Sequence, residues 1–105
     1  MSKRVAVVVG IAVAAVAAQA FGGRAVDVGI KEFKFAPAAL QVSAGTTVRW
    51  TNHDEETHTV TSATGAFASD GLGHEEGFSE TFTRPGRYEY FCALHPHMKA
   101  TLIVR

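Results

Sequence analysis

From Val26 onward, apolar residues recur at every second position in short runs, turn residues interrupt those runs, and nowhere does a helical period hold for three turns. A chain patterned this way has to form strands that each bury one face. Val26, Val28 and Ile30 alternate with Asp27, Gly29 and Lys31. Leu40 and Val42 alternate with Gln41 and Ser43, and Val48 and Trp50 with Arg49 and Thr51. Further on, Phe78 and Phe82 flank one strand, Tyr88, Tyr90 and Cys92 share a face of another, and Ala100, Leu102 and Val104 line the last. Glu80 has the parity of Phe78 and Phe82, which fits a strand at a sheet edge. Turn chemistry falls between the runs at Ser43-Ala44-Gly45 and at Arg84-Pro85-Gly86, where Pro and Gly suit the centre of a type II turn. Thr64 to Gly77 reads as a long loop with a strand fragment around Phe67. Seven or eight strands with one apolar face each predict an all-β, two-sheet antiparallel sandwich with Greek-key connections.

The first 20 residues stand apart. Lys3 and Arg4 precede an uncharged apolar run from Val5 to Ala18, and Ala18-Gln19-Ala20 has the small-x-small form of a secretory cleavage site. That run is shorter than the roughly 20 apolar residues a membrane span needs. The expected organisation is a signal peptide over 1–20, no stable membrane insertion, and a single exported domain over 21–105, periplasmic in a bacterium.

Losing residues 1–20 removes Lys3 and Arg4 and no acid, so ten basic against ten acidic residues becomes eight against ten. The remaining basic residues are scattered singly, which excludes a nucleic-acid binder with its clustered basic excess. Cys92 is the only cysteine, so no internal disulfide forms, and an exported domain is left with an unpaired thiol that needs a role.

That role is offered by Cys92-Ala93-Leu94-His95-Pro96-His97-Met98, expected as a tight loop before the last strand. It spaces a thiolate, an imidazole and a thioether three residues apart, and Pro96 stiffens it. A fourth donor must come from elsewhere, and His58, which follows the Trp50 strand, is the best placed. Two His, one Cys and a weakly held Met are the donors of a blue-copper electron-transfer site, with one copper ion cycling between Cu(I) and Cu(II). Structural zinc prefers Cys and His throughout and catalytic zinc keeps a position for water, so Met98 fits neither. A thiolate held by copper is also protected from oxidation. No nucleophile with a base and an orienting group is visible, so a hydrolase reading has no support. A copper-delivery protein would need a more open site, and a copper enzyme a free coordination position.

The chain resembles the small type I copper proteins, the plastocyanin and amicyanin group of cupredoxins, from about Val26 to Arg105. The resemblance rests on Val48-Arg49-Trp50-Thr51-Asn52, His58-Thr59-Val60, the approach Pro85-Gly86-Arg87-Tyr88-Glu89-Tyr90-Phe91-Cys92, and the Cys-x-x-His-x-x-Met segment. Two residues in each gap of that segment are most similar to amicyanin. By position, the resemblance implies equatorial ligands at His58, Cys92 and His95, an axial ligand at Met98, and His95 nearest solvent. It implies a non-enzymatic, monomeric electron carrier whose partners are a donor and an acceptor protein, by analogy a quinoprotein dehydrogenase and a c-type cytochrome.

Two positions depart from the pattern. Thr59 stands where many members have an asparagine that ties the ligand segments together, so a less firm tie is expected. His97 places an imidazole where amicyanin has an apolar surface, which implies docking sensitive to pH near neutrality. His53 and His74 read as exposed loop histidines without a ligand role. Asp54, Glu55, Glu56, Glu75 and Glu76 read as solvated loop charge, with steering of a basic partner as the sharper alternative. Trp50, Tyr88 and Tyr90 read as core. Amino-terminal sequencing of exported protein is expected to begin at Phe21, and a mature chain starting before Val5 would contradict the cleaved signal.

Overall fold

The computed structural model describes residues 24–105, and the signal peptide expected over 1–20 lies outside them. Eight strands follow in order: β1 (Ala25–Lys31), β2 (Lys34–Ala36), β3 (Ala39–Val42), β4 (Thr46–Asn52), β5 (Thr61–Ser62), β6 (Gly77–Phe82), β7 (Gly86–Cys92) and β8 (His95–Val104). They form two four-stranded sheets, ordered β2-β1-β4-β6 and β3-β8-β7-β5. The two-layer all-β expectation holds, but the sheets are mixed rather than antiparallel: β1 runs parallel to β4, and β3 parallel to β8. Only Pro37 and Ala38 separate β2 from β3, so the chain passes from one sheet to the other there instead of turning back. When the turn at Ser43-Ala44-Gly45 then reverses it, β4 arrives beside β1 pointing the same way.

Both inner faces are built by the alternation seen in the sequence. Val28, Ile30, Phe35, Val48, Trp50 and Phe82 come from the first sheet, and Val42, Tyr90, Cys92, Met98, Ala100, Leu102 and Val104 from the second. Trp50 is at the centre, with its ring 5.5 Å from Tyr90 and 5.7 Å from Phe78. Its indole N–H donates to the Tyr90 hydroxyl at 3.2 Å, so the two sheets share a polar link within an aromatic cluster. Burial pushes the Tyr90 phenol up to about 12 even though the Trp50 bond works against that shift. Glu80 is half-buried on β6, which is indeed an edge strand. The strand fragment expected near Phe67 is a single bridge between Thr61 and Ala68. Gly86 is the first residue of β7 with φ of 158°, close to extended, so the type II turn expected at Pro85-Gly86 is not formed.

The 93–98 segment also differs from expectation. His95, Pro96, His97 and Met98 already belong to β8, and only Ala93 and Leu94 connect it to β7. Cys92 is paired with His95 beside a bulge at Phe91/Cys92, which re-aims the strand end. His95 and Met98 are therefore carried by the sheet itself, and Met98 continues the buried face of Ala100 and Leu102. At the start of β6, a Cβ on Gly77 would lie 2.9 Å from the Trp50 carbonyl oxygen. Because that neighbour is backbone, Gly77→Ala is expected to cost about 1–3 kcal/mol in urea unfolding of the metal-free protein; unchanged stability would mean that the edge strand shifts freely.

Candidate metal centre

Three of the four predicted donors converge. Cys92 Sγ lies 3.7 Å from His58 Nδ1 and 3.6 Å from His95 Nδ1, and the donor atoms all fall within 4.8 Å of one another. Metal bonds of about 2.0–2.3 Å at angles between tetrahedral and trigonal would set N and S about 3.5–3.8 Å apart, so the spacing fits one shared ion. His58 and Cys92 have no solvent exposure, Met98 is buried beneath the segment, and His95 alone is half-buried.

Each donor is held by groups behind it. Asn52 ends β4 on the core parity of Val48 and Trp50, and it is fully buried. Its amide Nδ2 donates to the carbonyls of Glu56 and Leu72, both at 2.8 Å, while its Oδ1 accepts the Asp54 N–H at 2.9 Å. The His58 backbone makes two bonds to Leu72, N–H to carbonyl in each direction. The imidazole Nε2 of His58 bonds Asp54 Oδ2 at 2.9 Å, which leaves Nδ1 as the lone-pair nitrogen facing the thiol. A carboxylate behind a metal-binding histidine fixes both its ring angle and its tautomer.

Asp54 is therefore not the solvated charge expected from the sequence. Its carboxylate also accepts the N–H groups of Glu32 and Phe33 at 2.7 and 2.9 Å. Burial pushes this carboxyl up, but the bonds from Phe33, Glu32 and His58 together outweigh it and hold the group below its ordinary range. Glu32 and Phe33 both have left-handed φ values, 55° and 60°, uncommon for residues other than glycine. The Asp54 carboxylate fastens that tight β1–β2 turn over the centre, and the Phe33 ring meets His58 and His95 edge-on, each at 4.9 Å.

Thr59 joins the two donor segments. Its N–H points at Cys92 Sγ at 3.3 Å, and its Oγ1 accepts the Ala93 N–H at 2.7 Å. At this position the threonine hydroxyl makes a tie between the two segments, with a short bond. His53 and His74 lie outside the centre, on its rim, as does exposed His97.

Asn52, Asp54 and Phe33 are the functional positions the sequence reading missed. Asn52 had a usable signal, a polar residue on a strand's buried parity. Asp54 and Phe33 had none, because the contact between them joins segments more than 20 residues apart in the chain.

With that geometry, comparison with known proteins is direct. A model of the cupredoxin-like domain matches residues 4–104, and the chain belongs to that family. Amicyanin from Paracoccus versutus is 34% identical over 85 residues, covering 76% of this chain and 64% of the relative. Amicyanin from Paracoccus denitrificans is 33% identical over 85 residues, covering 76% and 65%. The chain thus spans just under two thirds of the length of these two relatives. The crystal structure of the Paracoccus versutus protein superposes with a TM-score of 0.70 at 32% identity, over 79% of this chain and 83% of that one. The donors His58, Cys92 and His95 are arranged as in a type I copper site.

Removing the Thr59 acceptor should leave the Ala93 N–H unpaired. Thr59→Val is expected to cost about 1–3 kcal/mol of metal-free stability, while Thr59→Ser retains most of it. Equal losses in denaturant titrations of the two variants would show that the hydroxyl does not tie the segments.

Proposed function

We propose that this protein is an exported single-electron carrier in which His58, Cys92, His95 and Met98 would hold one copper ion. The observation that carries the reading is a donor set gathered around a fully buried thiol, in which His95 alone of the four donors is half-buried and not fully enclosed. Copper bound there would supply a Cu(I)/Cu(II) couple in a soft, mixed S and N environment.

The chain's own residues supply the rest. Asp54 fixes the orientation of His58, Thr59 directs an N–H at the sulfur and stabilises negative charge on it, and Phe33 excludes water from above both imidazoles. Donors held so firmly need little rearrangement between oxidation states, which favours fast transfer. His95 offers the shortest path to a partner, and exposed Leu94 beside it and Phe33 above it give that path an apolar surround. Donor and acceptor are redox proteins in this reading, with a quinoprotein dehydrogenase and a c-type cytochrome suggested by the resemblance to amicyanin. A delivery protein that must release its ion is disfavoured by the burial of His58 and Cys92.

Adding Cu(II) to the metal-free domain should give an intense blue absorption that ascorbate bleaches, and Cys92→Ser should abolish it. A colourless parent, or one that takes zinc equally well and never turns blue, would remove the electron-carrier reading.

A further inference from the structure

The turn between β1 and β2 is built from residues that do not suit it. Lys31 pairs with Lys34, so Glu32 and Phe33 alone reverse the chain. Both have left-handed φ, 55° and 60°. Positive φ at both central residues of a two-residue hairpin loop is the pattern of a type I′ turn, which favours Asn-Gly, Asp-Gly or Gly-Gly because those residues tolerate it. A bulky phenylalanine in that conformation is strained, and the Asp54 carboxylate braces the strained form by accepting both N–H groups, at 2.7 and 2.9 Å. Strain that a fold keeps and braces points to a use for the side chain it displays.

The use is visible in where the ring goes. Phe33, His58 and His95 form a triangle of rings, with centroids 4.9 Å apart on the two Phe33 sides and 5.0 Å apart between the imidazoles. Phe33 meets His58 at 87° and His95 at 77°, both favourable edge-to-face arrangements. His58 needs little from this contact, since it is fully buried and its Nε2 already bonds Asp54. His95 is held differently. It is half-buried, its Nδ1 faces Cys92 Sγ at 3.6 Å, and among the described residues no hydrogen bond fixes its Nε2 from behind. The edge-on Phe33 ring stands in the place of that missing partner.

We propose that Phe33 is a positioning residue: its ring, aimed by the strained turn and the Asp54 carboxylate, holds the His95 imidazole in its donor orientation. Asp54 then orders both histidines, His58 by a direct hydrogen bond and His95 through Phe33. This role rests on the proposed copper site for only one of its two tests.

Phe33→Gly removes the ring and, because glycine takes positive φ freely, relaxes the turn. Phe33→Asn removes the ring with a residue common in this turn, and carries the comparison if the glycine variant folds poorly. Phe33→Tyr keeps the ring. In NMR spectra of the metal-free proteins, the parent and Phe33→Tyr are expected to show His95 in one ring orientation, in contact with the ring at position 33. The Gly and Asn variants are expected to show His95 exchanging among several orientations while the backbone signals of β7 and β8 stay in place. With copper bound, competition against a Cu(I) chelator is expected to show affinity weaker by about tenfold or more in the ring-less variants and near the parent value in Phe33→Tyr. A parent that takes up no copper removes the metal reading and leaves the metal-free spectra to decide the role of Phe33. A His95 ring as ordered in Phe33→Gly and Phe33→Asn as in the parent overturns that role, as does a Phe33→Tyr variant that behaves like the ring-less ones.

Discussion

The metal end of this domain depends on how Thr59 is bonded to the end of β7. The first donor segment grows from one sheet and the second from the other, and no covalent link holds them together. Thr59 does so with two hydrogen bonds, its N–H to Cys92 Sγ and its Oγ1 from Ala93 N–H. These bonds fix the thiol and His58 relative to each other before any ion arrives.

Behind Thr59 the polar network is continuous. Asn52 carries order from β4 into the His58 segment and the 72–73 backbone, and Asp54 extends it to the turn at Glu32 and Phe33. Among the described residues no buried side-chain nitrogen or oxygen lacks a partner. Such completeness matters because a half-satisfied polar cluster would destabilise the fold more than an apolar core would. The core between the sheets is aromatic, with Trp50, Tyr90, Phe67 and Phe82 packed ring against ring. A packed core and complete hydrogen bonding around the donors make a site that resists rearrangement.

Much of this could be read from the sequence because strands announce themselves by parity and ligands by chemical type. Val28, Ile30, Val48, Trp50, Leu102 and Val104 are buried as their alternation requires. Cys92, His95 and Met98 were conspicuous because a lone thiol spaced with an imidazole and a thioether points to a metal. Strand direction was not legible: antiparallel neighbours follow from short hairpins, whereas the β2-to-β3 passage between sheets has no residue signature beyond Pro37. The hold of Asp54 on the turn at 32–33 was hidden for a related reason. It is a contact between distant segments, and a carboxylate in a loop looks the same in sequence whether water or backbone N–H groups solvate it.

The donors are in place before copper binds, and crystal structures of the metal-free and copper-loaded protein test that directly. Preorganisation predicts that Cys92 Sγ stays within a few tenths of an ångström of its present 3.7 Å and 3.6 Å separations from His58 Nδ1 and His95 Nδ1 in both forms. A metal-free structure in which the Ala93 to Thr59 bond is broken and the donors have moved apart by an ångström or more would contradict it.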